Sequence, residues 1–222
     1  MYNHFKDNKW RDNLFDFNCD VAQGYGIYNN EKEYEIASYC STINIAAGFH
    51  AGDPVNIRKA FLYAANNNIA LCAHIGYPDI QGFGKRAMKL DDEELEAVIT
   101  YQVGAIMAYG KTFDLEIESV RCHGALKNEL NENEHSAIVI ANAIKKISPW
   151  LNLIVNNETT KEIINNTGVK CALEYEFREN DDINTISNNF DTIHFKSLED
   201  IKKAHNIIKP APINYNRVEN QI

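Results

Sequence analysis

The feature that most constrains this chain is an alternation: seven short, largely apolar and β-branched runs separated by longer stretches of helical period. The runs are LFDFNC, STINIA, IALCAH, ESVRCH, LNLIVN, VKCALEYE and DTIHF. Strand and helix in regular turn imply parallel pairing with helical crossovers, and runs apolar nearly throughout read as strands covered on both faces. Such a sheet either closes into a barrel or stays open, and the placement of polar groups separates the two. A barrel draws its functional residues from the C-terminal ends of several strands, whereas an open sheet binds at one switch point. Here polar groups follow strand after strand: Asn18 and Asp20, then His50, His74, His123, Asn156, Glu174 or Glu176, and His194. The expectation is an α/β fold, a seven-stranded (β/α) barrel, formed by the 222 residues as one domain with tails at 1–13 and 211–222.

The intervening stretches carry helix grammar. In DPVNIRKAFLYAANNN, Asp53 stands as N-cap and Pro54 at the first helical position, with Ile57 and Phe61 on one face. The stretch from Asp91 to Phe113 opens on DDEE at the positive end of the helix dipole and repeats Leu95, Val98, Ile99, Gln102, Val103 and Ile106, which predicts the longest helix. NENEHSAIVIANAIKKI and SLEDIKKAHNIIK both place acids early and lysines late.

Several function classes are disfavoured. Asp and Glu outnumber Lys and Arg by 31 to 22, and the basic residues are scattered, so nucleic acid is not an expected partner. No run approaches the roughly 20 apolar residues of a membrane span, and MYNHFKDNKWRDN lacks the core of a signal peptide, which predicts a soluble, cytoplasmic protein. Five cysteines without a C-x-x-C pair argue against a disulfide framework or a zinc knuckle.

The chemistry-bearing residues cluster by context. Three histidines sit among small neighbours, in GFHAGD, CAHIG and RCHGAL, where glycine allows the dihedrals and close approach needed to aim a ring inward. Several imidazoles around one cavity suit proton transfer, hydrolysis or metal ligation. Asp20 and Asp53 could supply the negative partner, although GDP before a helix also reads as an N-cap. A metal site built from separate strands stays open, while H-E-x-x-H, G-x-S-x-G and the P-loop are all missing. YPDIQGFGKR reads equally as a plain turn or as a Gly-rich loop presenting Lys85 and Arg86 to an anion.

Taken together, DFNCD, NIAAGFHAGDP, AHIGYPDIQGFGKR, YQVGA and HGAL resemble the 5-oxoprolinase A-subunit family, also called LamB/YcsF, across roughly residues 16 to 128. The resemblance implies a barrel of the glycoside hydrolase/deacetylase type. It also implies ATP-dependent opening of the 5-oxo-L-proline lactam to L-glutamate, with subunits B and C as partners, ATP as cofactor and Mg as an open companion to it. By the same resemblance Asp20, His50, His74 and His123 are the catalytic candidates. Asn18, Asn44, Asp79, Gln81, Lys85, Arg86, Glu174 and His194 are the candidates for substrate binding. There are departures from the family pattern: DVAQ for DLGE, which places Gln23 where an acid is usual, AHIG for AHPG, RCHGALK for KPHGALY, EYEFRE for EVFADR and IHFK for VHGD. The interval between the last two motifs is also shorter than in typical members. Two other readings therefore accompany the leading one: a paralogue that keeps the pocket for binding or assembly without turnover, and a metal-dependent, deacetylase-like amide hydrolase.

Overall fold

The computed structural model describes residues 15–28, 32–208 and 210. Seven parallel strands, β1 (Asp16–Val21), β2 (Thr42–Ala46), β3 (Ala70–Ile75), β4 (Ile117–Cys122), β5 (Asn152–Val155), β6 (Cys171–Glu176) and β7 (Thr192–His194), pair in sequence order. β7 returns to β1, with Asn18 opposite His194, and the barrel is closed. Every run expected to be a strand is one, with ends moved by a residue or two. The expected tails at 1–13 and 211–222 lie outside the described residues.

Around the barrel run α1 (Lys32–Ala37), α2 (Pro54–Asn67), α3 (Asp92–Phe113), α4 (Gly124–Glu132), α5 (Glu134–Ile147), α6 (Glu158–Asn166), α7 (Ile183–Ser187) and α8 (Leu198–Ile207). Asp53 caps α2, its carboxylate accepting from Val55 and Asn56 backbone N–H, with Pro54 in the first turn where its missing N–H is harmless. Asp91 and Glu94 form a reciprocal capping box on α3, at 22 residues the longest described helix. NENEHSAIVIANAIKKI does not form one helix. Asn133 adopts an extended backbone and turns its side chain to Ser136 N–H, so it ends α4 and caps α5.

The strands are less uniformly apolar than their sequences suggest. Their outward residues, among them Phe17, Ile43, Leu71, Val120, Leu153 and Ile193, join the helices in the main hydrophobic core. Inward positions are largely polar: Asp16, Asn18 and Asp20 on β1, Asn44 on β2, His74 on β3, Ser119 and Arg121 on β4, Glu174 on β6, and Thr192 and His194 on β7. A small apolar plug of Cys72, Ile154 and Ala172 interrupts them. Buried polar groups must find partners, and these do so across strands. Asp16 accepts from Ser41, Thr42 and Thr192 hydroxyls, while Asn18 donates to Thr192 and Glu174 and accepts from Asn44.

Candidate active site at the C-terminal mouth of the barrel

Four strand ends deliver the four expected catalytic side chains to one place. Asp20 ends β1 beside His74 of β3, with 3.4 Å between the Asp20 Oδ2 and His74 Nε2 atoms. His74 Nε2 lies 3.0 Å from His123 Nδ1, and His123 follows β4 at the entrance to α4. His50, in the loop between β2 and α2, stacks on His123 with ring centroids 4.1 Å apart. The three rings are buried.

Glycine makes this packing feasible at two positions. Gly84 has φ +64, and a Cβ there would stand 2.7 Å from His50 Cβ and 2.9 Å from His123 Cδ2. Gly124 has φ +53, and its Cβ would lie 2.4 Å from the Gly84 carbonyl oxygen, which accepts from Ala125 N–H. The GFG and HGA segments therefore meet backbone to backbone over the imidazoles, an approach no larger residue permits.

Asp20 is the electrostatic hub. Its other oxygen faces Arg121 Nη1 at 3.2 Å and accepts from Asn44 Nδ2 at 3.0 Å, and His194 Nε2 stands 3.7 Å from Oδ2. Burial pushes its carboxyl up, but His74, His194 and Arg121 together hold it well below the ordinary value. Burial drives the His50 imidazole well below its usual range, with His74 and His123 adding to the effect. The same cause lowers His123 to about 3 and His194 to about 4. An ionised carboxylate thus sits near the rings of His50, His123 and His194, which burial biases toward neutrality.

Arg121 was not among the expected site residues, although a cation inside the run ESVRC is an anomaly in a buried strand. Its guanidinium is 4% exposed and grips Glu174 through Nε and Nη2, both at 2.8 Å, while also reaching Asp20 and Glu176. Glu174 is thereby held ionised against its burial. Glu33 was missed as well: buried on α1, it accepts from Ala22 and Gln23 N–H, fixing the turn after Asp20 in which Ala22 has φ +60.

The remaining candidates divide. Asn18 and Asn44 bridge Glu174, Asp20 and His194 inside the barrel, so they orient the charged groups. His194 reaches the cluster through Asp20. Asp79 does not. Its carboxylate closes its own loop, accepting from Gly82 N–H, Arg86 N–H and the Arg86 guanidinium, and Arg86 chiefly holds it down at about 2. Gln81, Lys85 and Arg86 are exposed, with Lys85 Nζ 5.7 Å from the Phe83 ring. YPDIQGFGKR is thus a self-bonded turn over the histidines, whose Phe83 carbonyl accepts from His123 Nε2 at 2.8 Å. Asp53 serves as cap and as partner of Gly26 N–H.

At the rim, side chains from β6, α4 and the segments after β6 and β7 contact one another. Glu176 pairs with Lys127 and Lys196, and Phe177 packs on Phe195 with ring centroids 4.9 Å apart. The short link between β6 and β7 carries just the five-residue α7.

A closed parallel (β/α) barrel that gathers three imidazoles and an ionised carboxylate at its C-terminal mouth defines a class of protein by architecture and site. Within that class the chain belongs to the LamB/YcsF family, whose model matches residues 15–182. It is 38% identical over 160 residues to the 5-oxoprolinase A-subunit of Pyrococcus abyssi, a match covering 72% of this chain but 63% of the relative. It thus spans less than two thirds of that protein. A longer match, 32% identical over 203 residues, covers 89% of this chain and 79% of the 5-oxoprolinase A-subunit of Campylobacter jejuni subsp. doylei. The crystal structure of the lactam utilization protein from Thermus thermophilus superposes with a TM-score of 0.80 at 26% identity, over 90% of this chain and 100% of that one. Among the described residues, no helix is long and apolar enough to cross a membrane.

Proposed function

We propose that this chain is the A-subunit of a 5-oxoprolinase, opening the 5-oxo-L-proline lactam to L-glutamate with ATP and with subunits B and C as partners. The observation that carries the reading is the convergence of Asp20, His50, His74 and His123 at one barrel mouth, all within the span matched by the family. A five-membered lactam is a stable amide, so its carbonyl needs activation, and phosphoryl transfer from ATP supplies it. Asp20, kept ionised, takes a proton from the attacking water and returns it to the ring nitrogen as the C–N bond breaks, and a second water then releases the phosphate from the resulting acyl phosphate. ATP has no P-loop to sit in. Lys85, exposed beside the mouth, is our candidate for its phosphates, with a partner subunit completing the site.

The test is glutamate release from 5-oxoproline by the purified chain with subunits B and C of a relative, ATP and Mg. Asp20→Asn should lower the rate by about 10²–10⁴-fold while the chain stays folded, the range expected for loss of a positioned acid–base group. No glutamate under conditions where a relative's A-subunit is active would sink the proposal.

A second reading, a binding or assembly paralogue without turnover, is favoured by the rim. Lys127, Glu176 and Lys196 form one charged group, and Phe177 and Phe195 one apolar contact, at positions that depart from the family together. Gln23→Glu with Phe195→Gly and Lys196→Asp should restore turnover if these replacements silenced it, and an unchanged rate counts against that account.

A further inference from the structure

Hydrogen-bond direction at His74 and His123 leads beyond the lactam reading. His123 Nε2 faces the Phe83 carbonyl at 2.8 Å, and a carbonyl can only accept, so Nε2 carries the proton and Nδ1 of the neutral ring holds a lone pair. His74 Nδ1 faces the Arg121 carbonyl at 3.2 Å and so carries the proton, which in the neutral ring leaves the lone pair on Nε2. These two nitrogens, His74 Nε2 and His123 Nδ1, point at each other across 3.0 Å. Two lone pairs at that separation repel unless a cation lies between them, either an additional proton or a metal ion.

Three further observations favour the metal. His50 is 1% exposed, yet neither of its ring nitrogens has a hydrogen-bond partner, a costly state for a buried imidazole. One donor atom from each of His50, His74 and His123 falls within 4.8 Å of the others. Asp20 Oδ2, 3.4 Å from His74 Nε2, brings negative charge to the same side. Backbone carbonyls that hold the outer N–H of two rings are the usual way ligand histidines are locked in one tautomer.

We propose that His74 Nε2, His123 Nδ1 and a ring nitrogen of His50 bind one divalent transition-metal ion of the zinc or cobalt class, with Asp20 balancing its charge from beside the site and the fourth position left open. Nitrogens about 2.0–2.1 Å from a tetrahedral ion lie about 3.4 Å apart, so His74 and His123 need to separate only slightly. His50 must swing closer. Imidazole donors select zinc, cobalt or nickel over magnesium or calcium, which prefer oxygen. A bound ion would supply a Lewis acid at the mouth of the barrel.

The experiment uses the full chain, stripped with chelator and titrated with Co²⁺, reading visible d–d absorption, followed by competition with Zn²⁺ and Mg²⁺. The expected result is a tetrahedral cobalt band that saturates at one ion per chain, is displaced by Zn²⁺ and is untouched by Mg²⁺. His74→Ala and His123→Ala should each weaken cobalt binding by at least about 100-fold, since even loss of an outer-shell partner weakens such sites by 10–100-fold. His135→Ala, at an exposed ring paired with Asp92, should leave binding unchanged. If an alanine variant fails to fold by circular dichroism, nitrogen-15 spectra of the unmutated chain replace it. Zinc should then shift His74 Nε2 and His123 Nδ1 and leave both outer nitrogens protonated. No saturable band, a band that survives in both variants, or a doubly protonated His74 unmoved by zinc overturns the proposal. Glutamate release is not read, so failure here and failure of the lactam reading are separate results.

Discussion

At the scale of single residues, Arg121 organises the charge of the mouth. It neutralises Glu174 and shares Asp20 with His74, so its removal leaves the buried Glu174 carboxylate without a counter-charge and takes one partner from Asp20. Arg121→Met is therefore expected to lower unfolding free energy by about 3–5 kcal/mol, the cost of breaking a buried pair from one side. Urea denaturation at neutral pH checks this, and a loss under 1 kcal/mol, roughly that of an exposed pair, would show that the cluster is solvated instead. His50, His74, His123 and Asp20 were legible in the sequence because each is embedded in a distinctive local string. Arg121 was not, because its significance lies in Glu174, 53 positions away, and no local pattern records that pairing. Asp79 misled for the opposite reason: a polar residue in a glycine-rich loop looks available until the loop is seen to bond to itself.

At the scale of elements, α3 does more than cover the barrel. Gln102, fully buried at its middle, accepts from Gly76 N–H and donates to Gly76 C=O, each at 2.9 Å. The helix is thereby bonded to the backbone two residues beyond His74. Gln102 fitted the helical face by spacing alone, and nothing in that periodicity distinguished it from its apolar neighbours. Gln102→Leu should cost about 1–3 kcal/mol for each backbone group of Gly76 left unpaired. It should also loosen the site, read as faster amide hydrogen exchange at Gly76 and His74 with α5 unchanged. Equal protection in variant and parent would remove the positioning role. The division of α4 from α5 at Asn133 was likewise hidden, since acids before and lysines after fit one long helix as well as two.

For the whole molecule, the polar barrel interior predicts how stability changes with pH. Glu118 lies beside a narrow cavity lined by Asp16, Asn18, Thr42, Asn44, Ser119 and Ile154, and burial, then Asp16 and Glu116, push its carboxyl from 4.5 up to about 7. A carboxyl raised on folding binds more protons in the native state, so its contribution is full below pH 4.5 and lost as pH rises through about 7. Glu118→Gln should remove that contribution. Its unfolding midpoint in urea should fall less than the parent's between pH 4.5 and 7.5, and parallel profiles would refute the assignment.

The sequence by itself determined the seven strands, the capped helices that cross between them, and the segments that carry the catalytic candidates. Those features follow from short-range physics: β-branched runs, cap residues, dipole-matched charges and glycines at tight turns are all written within a few positions. Only the tertiary structure decided that the strands' second face is polar, that Arg121 holds the carboxylates, that the GFG and HGA backbones touch, and that His74 Nε2 and His123 Nδ1 face each other. Those relations join residues far apart in sequence, and their energies arise only when closure of the barrel removes water and leaves each buried charge to whichever partner the opposite strand supplies.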